Sequence, residues 1–270
     1  MTTSTLSTKS LLILDQYVHF RFGSAVCSVP YFNNRTVGAR AALRATIGKG
    51  SPKDIQEELQ SITVKNHIDY DSLADESLKK LLVDNNLGIE CSGFAYYVLN
   101  AESEERGKGT LDKHLRFVKA GGFLGKIRAK LRPVENCDVA TFADDANSSM
   151  IPINEVRPGD FISMQNDGDE SERDHILVVT EIDYDNPGMI PGQNSTGNSR
   201  PTKIYYSHAV AYPEDGKYGT GIKQGLIELS AECKTLADGL WSENGTTANA
   251  TRIFNRAKKS RTEIRRLKWF

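Results

Sequence analysis

Apolar and polar positions follow two rhythms along this chain, and the change from one to the other divides it. Up to about residue 88 the apolar residues recur at helical spacing. Ser51, Pro52 and Asp54 supply an N-cap, a first-turn proline and a capping-box acid ahead of Ile55, Leu59 and Ile62, which predicts a helix there. A second helix is expected near 77–83, where Leu78, Leu81 and Leu82 share a face and Asn85, Asn86 and Gly88 supply the stop. Phe94, Ala95, Val98 and Leu99 then mark one face of a helix over 91–101 that begins at a cysteine.

Residues 101–150 read as an irregular, partly helical excursion, and within it the stretch 113–132 holds seven Lys/Arg and no acid. Beyond it the period shortens to that of strands. RPGD at 157–160 is a turn leading into FISM, an acidic tip spans 165–174, and HILVVTEI is the clearest strand of the chain, so a hairpin is expected. A Pro/Gly/Asn/Ser loop over 185–201 leads to KIYYSHAVAY, rich in β-branched and aromatic residues, and GIKQGLIEL at 221–229 is a further strand candidate. In the last twenty residues, with eight Lys/Arg and one Glu, Ile253, Phe254, Ala257 and Ile264 suit a basic amphipathic helix, whereas EIRRLKW suits a closing strand equally well. We read helix, then strand.

Composition narrows the class. With 270 residues, 39% hydrophobic and 26% charged, collagen-like, low-complexity and wholly disordered chains are excluded. No apolar run approaches the roughly 20 residues a membrane-spanning helix needs, so no span is expected. A net charge of -1 gives no global attraction to nucleic acid or to an anionic bilayer, and any such attraction must be local. Cys27, Cys91, Cys137 and Cys233 are scattered without a CxxC pair, so reduced thiols and no metal site are expected. LLIL near the start is interrupted by Asp15 and followed by no clear cleavage site, so no signal peptide is expected. The acidic tip lacks the ligand spacing of a calcium loop. The length fits about two domains or one elaborated domain, and the pattern divides into a helical N-terminal extension over 1–87 and an α+β domain over 88–270.

Cys91 is the residue with the most distinctive setting. At a helix start, unpaired backbone N–H groups and the helix dipole favour an anion, and a thiolate near neutral pH is the expectation. Ser92 and Gly93 are small, leaving a sulfur room to meet a carbonyl carbon, and the Cys91 N–H could serve the developing oxyanion. A nucleophilic thiol requires a base, and His175 stands immediately before the strand 176–179. If a strand ending near Ile182 pairs antiparallel with one starting near Lys203, His175 lies opposite Val210 and on the face of His208, which could then orient it. His19, His67 and His114 are read as surface or core residues, and Cys27, Cys137 and Cys233 as structural.

ECSGFAYYVL, RPGDFISM and DHILVVTEI together resemble the NlpC-type cell-wall peptidases, in three islands spanning about 88–230. The resemblance implies a papain-like α+β fold, a nucleophile helix packed on an antiparallel sheet, and hydrolysis of peptide or amide bonds in peptidoglycan. It implies Cys91 as nucleophile, His175 as base and His208 as third member, with no cofactor and no specific nucleic-acid partner. Two positions depart from the usual pattern: Glu90 stands where Asp is common, and Asp174 where Gly or Ser is. Asp174, if it points inward, would raise the imidazole pKa. The upstream tyrosine that many members place near the oxyanion has no motif here, Tyr31 and Tyr70 being available. Papain-like relatives also transfer the acyl group to an amine or lipid, and a silent module binding an anionic polymer through its basic segments is the non-enzymatic alternative. A wall substrate would place the protein in the envelope or outside the cell, and another substrate would allow the cytoplasm. Oligomeric state is not legible.

Overall fold

The computed structural model describes residues 2–33, 44–118, 120–166, 173–185, 200–246 and 249–270. Most of the acidic tip and of the loop 185–201 lies outside the described residues. The first part of the chain forms β1 (Thr2–Thr5), α1 (Thr8–Val18), β2 (Phe20–Phe22), β3 (Ala25–Cys27), α2 (Pro52–Lys65) and α3 (Asp75–Asp84). The middle forms α4 (Cys91–Glu105), α5 (Gly122–Leu131), α6 (Pro133–Asn136), α7 (Val139–Ala143) and β4 (Ser148–Met150). The rest forms β5 (Phe161–Gln165), β6 (His175–Tyr184), β7 (Pro201–Val210), β8 (Gly221–Glu228), β9 (Leu240–Glu243), α8 (Arg252–Lys259) and β10 (Arg261–Leu267). The class is α+β, and among the described residues no helix is long and apolar enough to cross a membrane.

One antiparallel sheet runs in the order β4-β10-β5-β6-β7-β8-β9, with β1 added to β6. β6 is its centre. Its run Ile176 to Val179 is buried throughout because both faces are covered, which is why the strand reads as a continuous apolar run. Alternation separates two cores. Ile176, Val178, Ala209 and Ile222 face α4 and the N-terminal helices, while Leu177, Val179, Tyr206, Ile227 and Trp241 face Ile253 and Phe254 of α8. The capping box at Ser51 and Asp54 and the terminal helix-then-strand order are both present.

The first 87 residues differ from a purely helical segment. Thr2 pairs with Tyr184 and Thr5 with Glu181, so β1 extends the line of β5 along one edge of β6. Thr-Thr-Ser-Thr has no apolar alternation, and its strand character comes only from the edge it finds. Leu14, Tyr17, Ile55, Leu59, Leu78 and Leu82 belong to the same core cluster as Phe94 and Leu99 of α4. The RPGD turn is also structural. Asp160 is buried and receives the Arg157 N–H at 2.9 Å and the forked Arg266 guanidinium at 2.7 and 2.8 Å, tying the turn to β10.

Glu102, 3% exposed inside α4, fastens these parts together. Its carboxylate accepts from the Ser7 N–H at 2.9 Å, the Ser7 hydroxyl at 2.6 Å and Arg106 Nε at 2.8 Å, and Arg106 in turn donates to the Pro158 carbonyl at 2.8 Å. Burial alone would raise its pKa, but the Ser7 donors and the Arg106 charge outweigh it and hold the carboxyl below its ordinary value. The resulting stability is present above the unfolded value of about 4.3 and is lost as pH falls through the lower folded pKa. In urea titrations at neutral pH, Glu102→Ala is expected to lower the unfolding free energy by about 3 kcal/mol, with the gap from the parent narrowing below about pH 4. An unchanged midpoint would show that this link carries no weight.

Candidate active site

Cys91 is the first residue of α4, and the turn before it is held from three sides. The Ile89 N–H donates to the Pro30 carbonyl at 3.0 Å and the Glu90 N–H to the Gly48 carbonyl at 2.9 Å. Lys49, buried, pairs with the Glu90 carboxylate and donates to Ser92 Oγ and the Cys137 carbonyl, both at 2.7 Å. Ser92 Oγ donates to Glu90 Oε1 at 2.6 Å. A Cβ at Gly93 would lie 2.8 Å from Ile89 Cδ1 and 2.9 Å from the Gly48 oxygen. The small residues after the cysteine therefore do not open space in front of the sulfur. They let the helix start seat on the segment 48–49 behind it.

The electrostatics of Cys91 differ from the expectation of a helix-start thiolate. The side chain is 6% exposed, and burial, reinforced by the Glu90 charge, pushes the thiol up to about 12. Lys49, a hydrogen bond from the Ile176 N–H and the charge of Arg256 pull in the opposite direction without prevailing. The resting sulfur is a thiol, because desolvation of an anion outweighs the helix dipole. The same contact with the Ile176 N–H places the sulfur beside the residue that follows His175.

His175 and His208 are brought together as the register argument expects. Ile182 pairs with Ile204, one residue from the expected Lys203, and a bulge between Val179 and Glu181 restores the expected offset where Val178 pairs with Ser207. His175 Nε2 lies 2.6 Å from His208 Nδ1, and His208 Nε2 lies 2.9 Å from Glu243 Oε2. All three side chains are buried. Tyr212 donates its hydroxyl to the same Glu243 oxygen at 3.3 Å, and the Tyr206 ring meets His208 edge-on at 5.7 Å. With Glu243 accepting and a single proton on each imidazole, the order of donors is the following. His208 carries its proton on Nε2, His208 Nδ1 accepts, and His175 carries its proton on Nε2. His175 Nδ1 is left as the basic nitrogen. Burial, the Arg256 charge and His208 hold His175 well below the ordinary imidazole value, so it is neutral at neutral pH.

Asp174 does not act on this imidazole. It accepts from the Asn166 N–H at 2.9 Å and closes the hairpin. Of the two tyrosines, Tyr70 packs on Phe22 at 5.4 Å, whereas Tyr31, bridged through its backbone to Ile89, lies near Cys91. Burial and then the Cys91 sulfur raise its pKa, keeping the phenol protonated as a donor. Beside the site, Tyr212, Arg252, Arg256 and Lys259 line an open cleft of ≈ 450 Å³.

Glu243, Tyr212, Lys49 and Arg256 were not singled out by sequence reasoning. For Glu243 a signal exists: Trp241 and Glu243 are two apart, so a strand that buries the tryptophan buries the acid as well. Gly225 sits between Tyr206 and Glu243 in the strand pairing, where a Cβ would come within 2.2 Å of the Tyr206 hydroxyl. Among the described residues, no group of three or more His, Cys, Asp or Glu is arranged to hold a metal ion.

Comparison with known proteins returned no match to a family model, a curated protein or a solved structure. The thiol's burial makes a direct prediction. At neutral pH iodoacetamide is expected to label Cys91 at least about tenfold more slowly in the folded protein than in urea, with the rate still rising at about pH 10. Peptide mapping by mass spectrometry separates it from the other cysteines, and a plateau at or below about pH 8.5 would contradict the burial effect.

Proposed function

We propose that this protein is a papain-like cysteine hydrolase acting on peptide or amide bonds, with the peptides of peptidoglycan as substrate. The observation that carries the reading is the buried line from Glu243 through His208 to His175, beside a cysteine that opens a helix. The peptidoglycan assignment draws on the resemblance of the three sequence islands to NlpC-type peptidases. A cleft bearing Arg252, Arg256 and Lys259 is consistent with a peptide that carries carboxylates.

In the proposed reaction a neutral thiol meets a neutral base. His175 Nδ1 takes the Cys91 proton as the sulfur attacks the scissile carbonyl, and the oxyanion is met by the Cys91 N–H and the Tyr31 phenol. The imidazolium so formed stays hydrogen-bonded through Nε2 to His208, whose own N–H faces Glu243. A carboxylate two hydrogen bonds away thus favours the charged intermediate. His175 then protonates the leaving amine, a thioester remains, and water deprotonated by the same nitrogen releases the acid and restores the thiol.

A second reading is favoured by the burial of Cys91: a catalytically silent module that keeps the fold and binds an acidic polymer. Turnover separates the two. Incubated with purified muropeptides, the parent is expected to release new amino groups, with product masses raised by one water; an acceptor adduct instead would mean acyl transfer. Cys91→Ala is expected to abolish release, and Glu243→Gln to reduce kcat/KM by about 10²-fold or more without changing the unfolding midpoint, since an amide no longer dictates the tautomer. Undiminished turnover by Cys91→Ala would end the proposal.

A further inference from the structure

The segment around α5 takes no part in this site and presents an unusual face. Ala129, fully enclosed, points toward the body of the protein, and at 100° per residue Phe123, Leu124, Ile127 and Leu131 share an arc of about 100° on the opposite side. Phe123 is 78% exposed, Leu124 79% and Leu131 74%. Lys126 and Lys130 border this arc on one flank and Arg128 on the other. The polarity of an ordinary surface helix is reversed: small residues face inward and large apolar ones face outward.

A second feature adjoins it. Lys113, Arg116, Lys126 and Lys130 line a cleft of ≈ 620 Å³ together with Phe117 and Val118, and no acid occurs between residues 113 and 132. From these two features we infer that α5 and its cleft form a docking surface for an anionic phospholipid membrane. The helix lies in the plane of the interface, its apolar arc enters the acyl boundary, and the cleft takes lipid phosphates. α5 is about 15 Å long, which suits an interfacial contact and not a crossing.

Charge and shape argue against other occupants. A symmetric contact with a second copy of the chain would bring two strongly cationic surfaces together. A nucleic acid would leave the aliphatic arc against phosphates, and one phenylalanine is no stacking platform. The surface is independent of the catalytic reading, so membrane binding of Cys91→Ala should equal that of the parent.

Co-sedimentation with vesicles tests it. The probes are phosphatidylcholine alone and phosphatidylcholine with about one-third phosphatidylglycerol. The full chain is expected to partition into the anionic vesicles at least about tenfold more strongly than into the neutral ones, and added salt should weaken this. The double variant Phe123→Ser/Leu124→Ser, altered only at exposed positions and checked for fold by circular dichroism, is expected to lose about tenfold or more. Lys126→Glu/Lys130→Glu should lose a comparable amount. Absence of sedimentation with either vesicle, equal binding to both, or undiminished binding by the folded Phe/Leu variant would overturn the inference. So would concentration-dependent dimerisation that the Phe/Leu variant abolishes while vesicles bind neither protein.

Discussion

A carboxylate enclosed by protein has to be answered by donors, and at Glu243 that requirement organises the candidate site. The group is 5% exposed, so an unpartnered charge there would cost several kcal/mol. His208 and Tyr212 supply the donors. With His208 donating a hydrogen bond from Nε2 to the acid and one proton on each ring, the remaining proton positions along the line follow, ending at the nitrogen that the proposed reaction needs. Three adjacent strands must hold register for this to work. Tyr206, Gly225 and Glu243 form one row across β7, β8 and β9, and the glycine at its middle leaves the space that the Tyr206 ring occupies.

The proposed nucleophile belongs to the other core. Cys91 clusters with Ile176 and Val178 beneath α4, whereas Leu177 and Val179, which share the strand face of His175, pack with Trp241 and α8. The two halves of the proposed chemistry therefore approach at the end of β6, with the sulfur beside the Ile176 N–H. The cysteine's side of that junction is built by the N-terminal part of the chain. Gly48, Lys49 and Pro30 hold the turn at Glu90, and Tyr31 lies near the sulfur. Residues before 88 thus form the wall of the site, and Ser7 reaches α4 through Glu102.

What could be read in the sequence was whatever repeats locally or advertises a turn. The hairpin of β5 and β6, the strand β7 and the cysteine helix have period, caps or punctuation of their own, whereas the bulge between Val179 and Glu181 that sets the offset beside the histidines has no local signal. β1 was not legible because its polar residues become a strand only by meeting the edge of β6. β9 is four residues long, too short to show a period, and with it Glu243 escaped. The Cys91 environment was misjudged for a related reason: the helix dipole is a local effect visible in sequence, while the burial that overcomes it is set by Lys49, Tyr31 and β6, which converge only in three dimensions.

The proton order along the buried line is the most exposed claim of this account, and it has a direct spectroscopic readout. Long-range ¹H–¹⁵N correlation of the histidine rings reports the tautomer of each imidazole at neutral pH. The account predicts a neutral His175 ring with its proton on Nε2, a His208 proton on Nε2 facing Glu243, and a loss of that fixed pattern when Glu243 is replaced by Gln. A His175 ring that is charged at neutral pH, or that carries its proton on Nδ1, would contradict it.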